Sequence, residues 1–201
     1  MKTKFAILLV PLLFNCGIQL FAQKHSFGIQ IGTGISTISL TNSANISKSE
    51  KLNSPLFSYS LNVSISNQGK GKSGFSIEPG YIQKGGIQQN DQANQNDNIL
   101  IKFHYAQLPC SFDWHINEKV KISVGPEFDL LLNSIYLDNN FEISGLAGIQ
   151  FNAGEGVSLG IRISHGLTSV SEVTYTDVNG MPVSTGKEYN QYLHFLFRFD
   201  L

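Results

Sequence analysis

The residues best suited to chemistry gather in the C-terminal third, where Ser164, His165, Ser169, Ser171, Glu172 and Asp177 stand close together. A hydroxyl, an imidazole and a carboxylate are the parts of a hydrolase, in which histidine takes the nucleophile's proton and an acid orients the ring. The pattern around them is wrong for that use. No nucleophile elbow, no HExxH pair and no acidic dyad of fixed spacing occurs. Ser164-His165-Gly166 therefore reads as the end of a strand, and its neighbours as solvated loop groups. His25, His104, His115, His165 and His194 lack the paired spacing of metal ligands and read as hydrogen-bonding groups of an interior or a rim. Gly32-x-Gly34 and Gly154-x-Gly156 lack the strand-turn-helix setting of phosphate loops and read as bends or turns. No catalytic, cofactor-binding or metal-ligating residue is assigned, and no cofactor is expected.

What must position these groups follows from composition and alternation. The chain has 201 residues with 14 Lys+Arg and 15 Asp+Glu, a net charge of -1, and a charged fraction of 14%. Soluble proteins carry about 25% charged residues, so uncharged polar residues have replaced charges here. The balance excludes a nucleic-acid binder that works by displacing counterions with a basic patch. Residues 1–23 read as an export signal: Lys2 and Lys4 precede an apolar run from Phe5 to Leu13, broken by Pro11 and followed by Asn15 and Gln19. Cys16 fits a lipoprotein box poorly, because Phe14 and Asn15 are the wrong sizes before it. Cleavage after Ala22 or Gln23 leaves one domain, residues 24–201, with Cys110 as its single cysteine and hence no internal disulfide.

That domain shows period-two alternation, the mark of strands with unlike faces. Tyr189, Leu193, Phe195, Phe197, Phe199 and Leu201 share one face with Gln191, while Asn190, Tyr192, His194, Leu196, Arg198 and Asp200 share the other. The pattern recurs seven more times, from Phe27 to Ile35, Phe57 to Ile65, Phe75 to Tyr81, Ile99 to Ile116, Val120 to Leu132, Phe141 to Phe151 and Val157 to Ile163. Within the fourth, apolar parity switches from Ile99, Ile101, Phe103 and Tyr105 to Leu108, Cys110, Phe112 and Trp114, which predicts a bulge between Ala106 and Pro109. Eight strands suit a closed barrel.

The connections alternate in length: long (41–54), short (67–73), long (86–98), short (117–118), medium (134–140), short (153–156) and long (169–188). In an up-and-down barrel that places the short turns on one rim and the long loops on the other, as in outer-membrane barrels. Face polarity agrees. Glu78, Lys84, Lys102, His104, Asp113, Lys121, Glu127, Asp129, Glu142, Arg162, His194, Arg198 and Asp200 form a mixed-sign set for a narrow lumen, and the other face is nearly uncharged. Aromatics near strand ends, among them Phe27, Phe57, Tyr81, Tyr105, Trp114 and Tyr189, match interfacial girdles. Such a lumen is just wide enough for side chains, which favours a packed plug over an open pore.

Phe27-Gly28-Ile29-Gln30-Ile31-Gly32-Thr33-Gly34-Ile35-Ser36, Ile77-Glu78-Pro79-Gly80-Tyr81-Ile82-Gln83-Lys84-Gly85, His104-Tyr105-Ala106-Gln107-Leu108-Pro109, Val124-Gly125-Pro126-Glu127-Phe128, Gly145-Leu146-Ala147-Gly148-Ile149 and Ser164-His165-Gly166-Leu167-Thr168 together resemble the PorT-like outer-membrane β-barrel domain of Bacteroidota. The specificity lies in the series, since each piece is short. Asp200 before Leu201 departs from the aromatic terminus that commonly ends such chains. The resemblance implies an eight-stranded barrel in the outer membrane with no shared catalytic residues.

The expectation is an all-β, eight-stranded antiparallel up-and-down transmembrane β-barrel in the cell outer membrane. It is monomeric and non-enzymatic, contacts outer-membrane lipid, and anchors or docks cell-envelope proteins through its long external loops. The alternatives are a soluble periplasmic, lipocalin-like ligand-binding barrel with an inward apolar face, and an outer-membrane hydrolase with a loop-borne site.

Overall fold

The computed structural model describes residues 24–42, 54–68, 72–88, 99–133, 140–176 and 181–201. Residues 1–23, expected to be an export signal, and most of the longer loops named above lie outside these. Ten strands are present: β1 (Lys24–Asn42), β2 (Ser54–Gln68), β3 (Ser73–Ile77), β4 (Gly80–Gln88), β5 (Ile99–His115), β6 (Val120–Leu131), β7 (Phe141–Gly154), β8 (Val157–Gly166), β9 (Ser171–Thr176) and β10 (Pro182–Asp200). They fill eight positions in one closed antiparallel wall, because β3 and β4 share a position and β9 prolongs β8. β1 closes the ring by pairing with β10 on one side and β2 on the other.

The break between β3 and β4 falls at Pro79, which has no N–H to give to a ladder. The wall continues through it: Glu78 N donates to Pro109 O at 2.9 Å and Val63 N donates to Pro79 O at 2.9 Å. Among the described residues, the short-turn rim gathers the end of β2, the start of β3, the β5–β6 and β7–β8 connections, the start of β1 and the end of β10. There Asp200 N donates to Gly156 O and Leu201 N to Phe27 O, each at 2.8 Å.

Alternation places the apolar residues outside. Phe27, Phe57, Leu61, Phe112, Trp114, Leu130, Ile163 and Phe195 are all more than 45% exposed, whereas Gln30, Ser58, Ser60, Asn62, Glu127, Asp129 and Ser144 are buried within the ring. A soluble lipocalin-like barrel would reverse this. Strands of about ten tilted residues match the hydrocarbon layer, so lipid covers what water would reject.

Two expectations are corrected. First, β5 has no bulge: its pairing with β6 keeps one register from Tyr105↔Leu131 to His115↔Lys121, and its pairing with β3 and β4 is equally continuous. Tyr105, Gln107, Pro109, Ser111 and Asp113 all face inward and are buried. The apolar parity switches because this stretch of β5 faces a local apolar cluster inside: Ile82, Tyr105, Leu131 and Tyr192 are buried together with Phe103 packed against them. A register shift lies instead between β2 and β4, opposite Pro55 to Tyr59. Gly85 sits there at φ 143°, where an added Cβ would stand 1.9 Å from Ile101 O.

Second, residues 169–188 are not simply a loop. β9 and the start of β10 pair from Ser171↔Glu188 to Thr176↔Pro182, and β1 accompanies them to Asn42↔Gly186. Three strands thus rise past the rim on one side of the barrel.

Candidate functional site: the barrel interior and its rims

Because inward positions recur every second residue on every strand, side chains far apart in sequence meet in layers across the lumen. At the short-turn end, Arg198 donates from Nε to Asp200 Oδ1 at 2.7 Å and from Nη2 to Ser26 Oγ and Ser66 Oγ at 2.8 and 2.9 Å. Asp113 accepts from Lys121 Nζ at 3.0 Å, Ser123 Oγ at 2.6 Å and Ser111 Oγ at 3.2 Å, and also from Ser76. Beside these groups a polar cavity of about 430 Å³ reaches His115, Lys119 and Gln150.

The next layer crosses the full width. Arg162 of β8 donates to Glu78 Oε2 at 2.6 Å from the opposite wall, and Gln30 of β1 donates to the same oxygen at 2.8 Å. His194 of β10 is wedged against β2. Ser58 Oγ gives its proton to Gln83 O, so His194 Nε2 is the donor to Ser58 Oγ at 2.8 Å. Gly32 makes that packing possible, since a Cβ there would lie 2.3 Å from Ser60 Oγ and 2.8 Å from His194 Nδ1.

Above it Lys84 of β4 meets three carboxylates: Asp129 at 2.7 Å, Glu127 at 3.0 Å and Glu142 at 3.7 Å, with every partner at most 2% exposed. Its Nζ is 5.3 Å from the ring centroids of both Tyr105 and Tyr192, a cation–π distance. Tyr192 also donates to Glu127. Asn190 donates to Glu142 Oε2 at 2.8 Å and to Tyr105 Oη at 3.0 Å. A low-dielectric interior makes such contacts strong and makes a missing partner costly. Chemically, the arrangement cross-links opposite walls and closes the middle of the lumen above the polar cavity.

The residues weighed for hydrolysis are not brought together. Ser164 faces inward, 3.4 Å from Glu127 Oε1, while its neighbour His165 faces outward and stacks on Tyr189 at 6.3 Å. Glu172 is exposed and paired with Lys187 at 3.6 Å. Asp177 lies outside the described residues. Of the expected lumen set, Lys102 and His104 are misplaced: with no bulge in β5, both face outward, Lys102 exposed and His104 half-buried. The rest point inward as expected. Tyr105 was missed as an interior group for the same reason. Tyr192, Asn190 and Gln30 lay on the polar faces but carried no formal charge to mark them.

A closed antiparallel wall with an apolar outside and an ion-paired inside defines the transmembrane β-barrels. A family model described as "Outer membrane protein beta-barrel domain" matches residues 21–172, and this chain belongs to that family; it is an outer-membrane protein. Similar solved structures are low in identity. Neisserial surface protein A (NspA) is 13% identical, with 88% of this chain and 99% of that one covered at a TM-score of 0.45. Ail of Yersinia pestis, in a phospholipid bilayer nanodisc, is 16% identical, with 88% and 100% covered at 0.41. OprG of Pseudomonas aeruginosa is 11% identical, with 88% and 97% covered at 0.43. No curated protein sequence matches the chain.

Proposed function

We propose that the protein is a non-enzymatic, monomeric outer-membrane anchor that docks a cell-envelope or surface partner through its long-loop rim. The observation that carries this reading is the pairing of a side-chain-filled lumen with a wall that extends past the rim on β1, β10 and β9. A sealed interior leaves the rim as the part able to make specific contacts. In this reading the short turns face the periplasm, and residues 1–23 are an export leader removed after Ala22 or Gln23. The likeness to the PorT-like set is compatible with such a role, and involvement in secretion would be one form of it.

The test is a tagged full-length chain, expressed in its native host and recovered from the outer membrane, compared with a variant in which residues 177–181 are replaced by a tight turn. Both should run faster unboiled than boiled, with a mature N-terminus at Gln23 or Lys24. A partner that co-purifies with the native chain should be lost from the variant. Equal recovery of that partner by both chains would sink docking through this rim.

A further inference from the structure

The outward placement of Lys102 and His104 leaves two cationic or donor groups on a surface otherwise given to lipid. On β5 the outer face carries Leu108, Phe112 and Trp114 within the apolar belt, and His104 and Lys102 continue the same face towards the long-loop rim. Their backbone is held tightly. His104 N donates to Asn133 Oδ1 at 2.8 Å, Asn133 Nδ2 donates to Lys102 O at 3.2 Å, and Leu132 N donates to His104 O at 2.7 Å.

The imidazole is fixed as well. It stacks on Tyr81 with centroids 5.9 Å apart, the Tyr81 hydroxyl bonds its Nδ1, and Tyr81 in turn lies 5.9 Å from Tyr59. Among the described residues neither His104 Nε2 nor Lys102 Nζ has a hydrogen-bond or ion-pair partner. A lysine on a long apolar stem beside a preoriented imidazole, at the edge of a lipid-covered belt, complements an anionic phosphate at headgroup depth. The patch is continuous with the lipid-facing surface, which identifies a lipid as the source of that phosphate.

We propose that Lys102 and His104 form a headgroup site for an anionic, phosphate-bearing lipid of the leaflet on the long-loop side, with Tyr81 and Tyr59 beside the lipid's glycerol region. His165 supplies an internal comparison. It too is an outward histidine stacked on a tyrosine, but the outward positions flanking it are Ile163 and Leu167, with no lysine.

The experiment uses the full barrel in phosphatidylcholine nanodiscs with and without phosphatidic acid, read by imidazole NMR and by native mass spectrometry of retained lipid. Phosphatidic acid should move the His104 signal and leave that of His165 in place. Lys102→Gln, at an exposed side chain, should retain about fivefold less phosphatidic acid, the effect of one surface cation, and Lys102→Arg should restore it. Equal retention by wild type and Lys102→Gln, both showing the folded gel mobility, would overturn the site. So would equal movement of the two histidine signals. A His104 signal that moved as far with inorganic phosphate in phosphatidylcholine alone would assign a free anion in place of a lipid.

Discussion

Lys84 is one cation among three carboxylates, and all four side chains are within 2% of complete burial. Its removal leaves those carboxylates facing one another in a dry interior. Lys84→Met, which keeps the length of the side chain and drops its charge, is expected to destabilise the barrel by about 3–5 kcal/mol, the usual result of stripping one member from a buried ion pair. Urea unfolding in detergent micelles, followed by the unboiled gel shift, measures it; a midpoint unchanged from wild type would mean that the cluster contributes nothing net. At this scale the sequence was readable wherever a residue carried a charge on the polar side of a clear alternation, as with Glu78, Glu127, Glu142 and Arg162. It was unreadable where function rests on uncharged groups. Asn190, Tyr105 and Gln30 complete the network by hydrogen bonds, and nothing in their type separates them from solvated residues.

Strands are legible in proportion to how differently their two faces are solvated. β1, β2, β8 and the lower half of β10 have lipid on one side and polar lumen on the other, so their alternation is unmistakable. β5 misleads because its upper half meets the apolar Ile82–Leu131–Tyr192 cluster inside, and its outer face there carries Lys102 and His104. The hydrophobic side changes while the backbone register does not. β9 and the start of β10 were invisible for a third reason. They stand beyond the rim, so neither face has to be apolar. The continuity of β5 predicts an accessibility pattern. In a Cys110→Ala background, a cysteine at 104 should react with a membrane-soluble maleimide in the folded barrel, and a cysteine at 105 should react only after unfolding. Reversed reactivity would restore the bulge between Ala106 and Pro109.

For the molecule as a whole, the low charge content is a matter of placement. The belt touching lipid is almost free of charge, while the described charges lie in the lumen, at the rims and on the extended strands. The lumen is spanned by the Arg162–Glu78 bridge and by the Lys84 cluster, all within a few per cent of complete burial. Wild-type barrel inserted in a planar bilayer is therefore expected to show no steady ionic current, and Glu78→Ala with Arg162→Ala together to admit one. A steady current through the wild-type protein would show that the layer opens. The architecture could be inferred from alternation, and the sidedness of charge only with the help of the mixed-sign polar face, the uncharged opposite face and the aromatics near strand ends; which residues cross the lumen to touch could not, since that depends on the stagger at which the wall closes.

The pairing of β1 with β10 also bears on how the molecule comes into being. Arg198 bonds Ser26 across 172 residues of chain, and Gly28 stands opposite Asp200 in the ladder. Closing so long a loop costs entropy before any compensating contact forms, and contacts of this separation form slowly. Until β10 is in place, β1 and β8 are both open edges, and the cross-lumen contacts of His194, Tyr192 and Asn190 are missing. A nascent or truncated chain thus has no closed barrel to rest in: closure and the share of the interior packing that β10 supplies arrive together, with the last strand.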